Sequence, residues 1–313
     1  MPGQPKHGPR ERWRACRRGM ETVLVRLAAG ALPRLPRSVI VWLARTLGGT
    51  AFVIAGRDRR VALANLQVAF GTTMAPAARR RIARASFQTF ALVVLDYFWF
   101  TRDTDARLRQ YVHLSPEFLA MVENPGPRIF FTLHMADWEM MGFVLALRGM
   151  ALTSVGKPLK NPFVDRMISA LRVSTGLRVV PPKGALRSLL QALKSKGNVA
   201  LVLDQDTVPE EGGVRVDFFG LPVTISDGAA ALATHFQAPL IGGYCRWTPD
   251  GHYHSYMRPL AAGDPATATS RIAAQIEEEI RRNPGQWTWM YKRWKRRLPG
   301  PPTDAYPYYA DFV

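Results

Sequence analysis

The stretch His134-Met-Ala-Asp-Trp-Glu139 carries an imidazole and, five positions on, a carboxylate, and that pair can do proton-transfer chemistry. A carboxylate on one ring nitrogen fixes the tautomer and leaves the other nitrogen to accept a proton. His134, with Glu139 as its partner, is therefore expected to serve as general base towards a hydroxyl nucleophile. The pattern alone carries little weight, because six histidines and 24 acids in 313 residues produce about 0.5 H-x4-[DE] matches by chance, and the chain contains one. Its weight comes from its position, directly after the apolar run Arg128 to Leu133 and directly before a helical pattern that starts at Trp138. In an open α/β sheet, ligands sit outside the carboxyl ends of the strands, and a strand-turn-helix passage puts His134 there.

A second apolar run, Val199 to Leu203, delivers Asp204-Gln205-Asp206 in the same way. Between the two acidic blocks lie Lys157-Pro-Leu-Lys160-Asn161-Pro162, a helical pattern bearing Arg166 and Arg172, and Val180-Pro-Pro-Lys183-Gly184. Two strand ends would thus present a histidine and acids to one crevice with cations between them. Arg172 or backbone N–H groups at a helix start are the candidates for stabilising an oxyanion. Lys157, Lys183, Asn161 and Asp206 are the candidate substrate contacts. The chain has no serine elbow and no reactive-cysteine context, so serine-hydrolase chemistry loses support.

The elements that must position these groups follow from periodicity. Strands are predicted at Arg128 to Leu133, Ala151 to Val155, Leu177 to Val180, Asn198 to Leu203, Pro239 to Arg246 and His252 to Met257. Helices are predicted at Trp138 to Leu147, Pro162 to Ser174, Ala185 to Lys194, Gly228 to Phe236 and Thr267 to Arg282, with Arg57 to Phe100 helical upstream. The alternation implies an α/β fold: a helical N-terminal membrane-associated layer, then an α/β domain around a mainly parallel sheet. The expected divisions are a basic N-terminus with apolar helices over 1–56, a helical region over 57–126, the α/β domain over 127–298 and an irregular Pro-rich tail over 299–313.

The first twenty residues carry Lys6, Arg10, Arg12, Arg14, Arg17 and Arg18 against Glu11, and an arginine-punctuated apolar stretch follows. No signal-peptide cleavage pattern ends it. The longest weakly charged run, Val39 to Gly56, has Arg45 near its centre, where a charge costs about 2.5 to 3.5 kcal/mol in a bilayer, and two adjacent glycines. That suits a segment lying in the membrane interface or spanning marginally, with a buried hairpin as the soluble alternative. Ser86 to Phe100 is aromatic-rich and broken only by Asp96. Gln286 to Arg297 sets five basic residues beside three tryptophans, which suits a membrane-surface helix or packing at the mouth of the site.

Composition narrows the partners. With 42 Lys+Arg against 24 Asp+Glu the net charge is +18, and 47% hydrophobic residues exclude a disordered chain. Cys16 and Cys245 form neither a disulfide framework nor a zinc pattern. Absent P-loop, dinucleotide, zincin and nucleic-acid motifs remove support for those classes.

The ordered blocks resemble a known family. From Arg60-Val-Ala-Leu-Ala-Asn-Leu-Gln-Val-Ala-Phe70, through the His134, KPLKNP, DQD and VDFFG blocks, to Pro284-Gly-Gln-Trp-Thr-Trp-Met-Tyr-Lys-Arg-Trp294, the chain is similar to the late lauroyl/myristoyl acyltransferases of lipid A biosynthesis, within the H-x4-[DE] glycerolipid acyltransferase superfamily. The resemblance implies an O-acyltransferase with His134 as base, Glu139 as its carboxylate, and Arg172 and Asp204 at positions needed for activity. It implies acyl carrier protein or acyl-CoA as donor, an anionic glycolipid acceptor, and the cytoplasmic face of the inner membrane. No metal, cofactor or nucleic acid is implied. The phosphatidylinositol mannoside acyltransferases, whose pattern has Asp at the place of Glu139 and departs from DQD, rank second. Lysophospholipid acyltransferases follow, then a non-catalytic basic membrane-binding protein.

Overall fold

The computed structural model describes residues 22–312 apart from Pro125, Lys160 and Ala262. The basic first twenty residues, Cys16 and Lys160 lie outside the described residues. The chain opens with helix α1 (22–31), α2 (Arg37–Ile54), α3 (Gly56–Phe70), α4 (Pro76–Trp99) and the short α5 (Thr104–Tyr111). Then come β1 (Val112–Leu114), α6 (Pro116–Glu123), β2 (Ile129–Thr132), α7 (Trp138–Leu147), β3 (Leu152–Val155), α8 (Pro162–Thr175), β4 (Arg178–Val180), α9 (Ala185–Lys194) and β5 (Asn198–Val202). The hairpin β6 (Gly213–Phe218) and β7 (Leu221–Ser226) follows, then α10 (Gly228–Phe236), β8 (Leu240–Trp247), β9 (Tyr253–Leu260) and α11 (Pro265–Arg282). Strands order as β1-β9-β8-β2-β5-β3-β4 in one seven-stranded sheet. The β8–β9 pair is antiparallel and every other pairing in that sheet is parallel. The expected α/β architecture is the one observed.

Local sequence explains the site-bearing elements. All four residues of β2 are buried, as a central strand covered on both faces requires. Helix α7 is apolar on every side and buried from Met140 to Ala146, so it packs as a core helix. Helix α8 starts on Asn161 with Pro162 in its first turn and stops at Gly176, whose φ of 86° is left-handed. Apolar clusters fill both faces of the sheet, one with Phe131, Leu66 and Trp287, the other with Phe130, Ile40 and Trp99.

Helix α2, the apolar run of the N-terminus, packs along α4. A Cβ at Gly48 would lie 2.4 Å from the Gln88 Cα, so the glycines that weaken a spanning helix are what lets the two helices touch. Asp96 is fully buried in α4 and meets buried Arg37 of α2 through a two-point salt bridge. The Tyr253 hydroxyl donates to Asp96 Oδ2 at 2.5 Å, and the Arg37 guanidinium also donates to the Gly251 carbonyl at 2.8 Å. Replacing Arg37 with Leu is expected to destabilise the fold by about 3 to 5 kcal/mol, because Asp96 keeps its burial and loses its counter-ion. Urea denaturation of the two proteins measures it, and a loss under about 1 kcal/mol would show that Tyr253 suffices for Asp96.

One expectation is corrected, one is refined and one element was missed. Of the two expectations for Gln286 to Arg297, the surface helix is overturned, since Trp287, Trp289, Trp294 and Arg293 are all buried, and packing beside the His134 turn is what the structure has. Asn65 donates to the Trp289 and Tyr291 carbonyls at 2.8 and 2.7 Å, so the Arg60–Phe70 block clamps this segment onto α3. The Pro-rich tail is largely without repetitive structure but folds onto the body, with Tyr306, Tyr309 and Ala310 buried and Asp311–Phe312 paired to Arg296–Arg297. The β6–β7 hairpin is absent from the predicted strands. Its turn, Phe219-Gly220, has φ of 53° and 76°, and Val214, Val216 and Phe218 give the alternation that would have revealed it.

Candidate active site

Strands β2 and β5 are neighbours in register, Thr132 opposite Val202, so His134 and Asp204 each lie two residues beyond the same rung. Asp204 is 3% exposed and takes three hydrogen bonds. His134 Nδ1 and Asp204 Oδ1 are 2.6 Å apart, while Oδ2 accepts from the His134 backbone N–H at 3.0 Å and from Trp287 Nε1 at 2.7 Å. The carboxylate thereby places Nδ1 as the protonated nitrogen and Nε2 as the acceptor. Nε2 faces the exposed Gln205 amide at 3.5 Å, too far for a strong bond. The Trp138 ring stands edge-on to the imidazole, centroids 4.5 Å apart. Thr288 donates to the His134 carbonyl at 3.1 Å and Ala136 donates to the Gln286 carbonyl at 2.9 Å, which straps the histidine turn to the buried tryptophan segment.

Burial works against the His134 imidazolium, yet the Asp204 charge and hydrogen bond, with Glu139 behind them, hold the ring above its ordinary value near 6.5. Burial likewise opposes ionised Asp204, and the same imidazole together with the Trp287 and His134 N–H groups overcomes it, leaving that carboxyl below its usual range.

Glu139 is not the hydrogen-bonded partner of His134. It sits in the first turn of α7 and faces α8, where Arg172 grips it with Nε at 3.0 Å and Nη2 at 2.6 Å. Both side chains are largely buried, 15% and 13% exposed. This replaces the expected His134–Glu139 dyad with two pairs, His134–Asp204 and Arg172–Glu139. The reason is geometric: the β2–β5 register delivers Asp204 beside His134, while Arg172 of α8 holds both oxygens of Glu139.

The remaining predicted contacts divide. Asn161 caps α8, its Oδ1 accepting from the Phe163 and Val164 N–H groups at 3.0 and 3.3 Å. Asp206 is held by Arg296 at 2.7 Å, Thr224 at 2.9 Å and Lys295 at 3.1 Å. Both are therefore engaged within the fold rather than aimed at a ligand. Lys157 and Lys183 are exposed, past the carboxyl ends of β3 and β4. Among the described residues no group of acids, histidines or cysteines forms a metal cluster.

A family profile described as bacterial lipid A biosynthesis acyltransferase matches residues 12–296. The chain belongs to that family. A phosphatidylinositol mannoside acyltransferase of Mycobacterium tuberculosis is 29% identical over 167 residues, 51% of this chain and 52% of that protein. The chain thus spans about half the length of such mycobacterial relatives. A lipid A biosynthesis palmitoleoyltransferase of Escherichia coli is 24% identical over 279 residues, covering 85% of this chain and 88% of that protein. A lipid A biosynthesis lauroyltransferase of Escherichia coli is 24% identical over 282 residues, covering 86% and 90%.

Several residues around the family site escaped sequence reasoning. Trp287 falls in a segment expected either on a membrane surface or packed at the mouth of the site, and nothing local marks it as a donor to Asp204. Asp137 is the N-cap of α7, accepting from the Met140 N–H at 3.3 Å, a signal that Asp before a helix does carry. It is fully buried, and burial with Asp96 and Glu139 nearby pushes its carboxyl well above the usual range. Burial and the adjacent Glu139 carboxylate likewise keep the Tyr97 hydroxyl protonated. The Arg172–Glu139 pair is expected to behave as a unit: Arg172→Met and Glu139→Gln each destabilise, and the double variant recovers about 1 to 3 kcal/mol of their summed loss. Additive losses in a urea-melt cycle would reduce the contact to two independent surface charges.

Proposed function

We propose that the protein is an O-acyltransferase that moves a fatty acyl chain from an acyl thioester, on acyl carrier protein or coenzyme A, to a hydroxyl of a lipid A precursor or related glycolipid. The observation that carries this reading is the His134–Asp204 pair at the carboxyl ends of β2 and β5, with Nε2 turned to the exposed side. Nε2 takes the proton of the acceptor hydroxyl while its oxygen attacks the thioester carbonyl. The tetrahedral oxyanion collapses, the C–S bond breaks, and the thiolate leaves with the proton from Nε2. Backbone N–H groups at the α7 N-terminus, four residues from His134, are favoured over Arg172 for the oxyanion, since Glu139 already neutralises that guanidinium.

The proposed setting is the cytoplasmic face of the inner membrane. Val23, Leu24 and Leu27 of α1, Trp42, Leu47, Val53 and Ile54 of α2, and Phe90 and Val94 of α4 are exposed apolar side chains. Arg26, Arg34, Arg45 and Arg57 lie exposed among them. Helix α2 is long and apolar enough to cross a bilayer, but 39% of it is buried, mostly against α4. One face on protein and the other apolar with arginines favours a helix lying in the interface. The higher identity to the mycobacterial relatives keeps a phosphatidylinositol mannoside acceptor as the second reading.

Mass spectrometry of lipids from cells with and without the gene tests both. A phosphorylated glucosamine disaccharide gaining one ester supports the first, an acylated mannoside supports the second, and no new ester in any lipid overturns acyl transfer. In the same purified protein, Trp42→Asp with Leu47→Asp is expected to weaken binding to anionic vesicles by about tenfold or more. Unchanged sedimentation would remove the helical layer from the membrane contact.

A further inference from the structure

On the far side of β8 from His134, a pocket of about 490 Å³ is lined by His113, Arg246, His254, Arg282 and Asn283. It opens at the same end of the sheet as the catalytic pair: Phe131 of β2 pairs with Gly242, and β8 runs on four more residues to Arg246. His254 sits opposite Arg246 across the β8–β9 rung and opposite His113 across the β1–β9 rung. His113 Nε2 and His252 Nδ1 are 2.8 Å apart, and their rings are stacked with centroids 5.1 Å apart. The His113 and His254 rings are 5.0 Å apart.

Two imidazoles, His113 and His254, and two guanidiniums thus line one concave surface, with His252 stacked behind His113. Arg282 is already paired with Glu278 and Glu279, whereas Arg246 has no ion-pair partner among the described residues. The other groups nearby are Tyr111 on α5, Tyr256 on β9, and Asp250 in the β8–β9 turn, whose carboxylate is occupied by the Thr248 hydroxyl. Burial and then His113, Arg246 and His252 lower the pKa of His254, against only Asp250. Arg246 therefore brings to the pocket a positive charge without an ion-pair partner among the described residues, and a bound anion would pair with it. Histidines add selectivity for phosphate, since each can donate or accept to a group that is itself part-protonated near neutrality.

We propose that this pocket binds a phosphate group, and that the phosphate is one carried by the glycolipid acceptor; the second half rests on the acyl-transfer reading above. Placed across β8 from His134, the site would hold the polar head of the acceptor while its hydroxyl reaches Nε2.

The test begins with inorganic phosphate and the full chain carrying labelled histidines. The His113, His252 and His254 resonances are expected to move on titration, the His134 resonance to stay, and the His254 titration midpoint to rise. Arg246→Ala, an exposed position, removes those shifts. No movement up to about 50 mM phosphate, where even a millimolar site saturates, overturns the pocket. The source of the phosphate is decided by kinetics with phosphorylated and dephosphorylated acceptor. Arg246→Ala is expected to raise KM for the phosphorylated acceptor about tenfold with kcat unchanged, and to leave the dephosphorylated one alone. Phosphate-dependent shifts with an unchanged KM overturn the acceptor assignment and leave a site for free phosphate or another lipid headgroup. If wild type acylates neither acceptor, the functional reading fails, while the resonance titration still judges the pocket.

Discussion

His134→Ala is expected to lower the rate of acyl transfer by about a hundredfold to ten-thousandfold, the range over which a positioned general base contributes. The loss should fall on kcat and leave KM for the acceptor near its wild-type value, because the imidazole acts on a proton that moves only in the transition state. The fold should survive. The His134 side chain is 24% exposed, and the backbone N–H that donates to Asp204 is untouched by the substitution. Thermal melting separates the two effects: an intact transition with lost turnover supports the base, whereas turnover within about threefold of wild type would remove His134 from the chemistry.

Asp204→Asn should cost about as much, for a reason the hydrogen bonds dictate. Oδ2 accepts from two N–H groups, the His134 main chain at 3.0 Å and Trp287 Nε1 at 2.7 Å. An asparagine must turn its amide oxygen to those donors, so its NH2 faces His134 Nδ1. Nδ1 then accepts, Nε2 carries the hydrogen, and the nitrogen facing substrate is no longer a base. The expected fall is about a thousandfold to ten-thousandfold, as in other triads that lose the correct tautomer. Glu139→Gln should cost less than this, since Glu139 reaches His134 only through space.

The same pair sets a pH dependence. Activity requires neutral His134, whose pKa is raised in the folded protein, so the acid limb of kcat/KM should lie above the ordinary histidine value of about 6.5. In Asp204→Asn the residual rate should have its limb moved to lower pH, because burial remains and the carboxylate is gone. For stability the sign is opposite. A raised histidine pKa stabilises the fold fully below the unfolded value, and that contribution is lost as pH rises through the folded value. Asp204, held low by the same contact, contributes above its unfolded value and loses that as pH falls through its folded one. A limb that does not move in Asp204→Asn would place the controlling group elsewhere.

Much of this was legible in the chain. Helices α7, α9 and α10 have the bounds that periodicity and capping residues predict, and the strands before His134 and Asp204 fall where short β-branched runs place them. Asn161 before Pro162 and Gly176 after Thr175 are local signals, and local backbone chemistry answers to local sequence. The placement of His134 at a strand end was readable for the same reason.

The partners were not. Asp204 is 70 positions from His134 and meets it because β5 pairs with β2 in a register that no residue near either one announces. The H-x4-E spacing suggested the nearer carboxylate, and sequence proximity was the wrong guide because Glu139 bonds to Arg172 of α8 instead. Trp287 and Arg293 could have faced a membrane or packed at the mouth of the site, since composition reports polarity and not which side of a turn faces the core. The pocket of His113, Arg246 and His254 drew no attention at all, being assembled from three strands and a helix end from separate parts of the chain. The sequence by itself determined the family and most of the elements that carry the site, because short-range periodicity and ordered blocks encode them. Only the tertiary structure decided which charge faces which, because charges pair across the distance that folding closes.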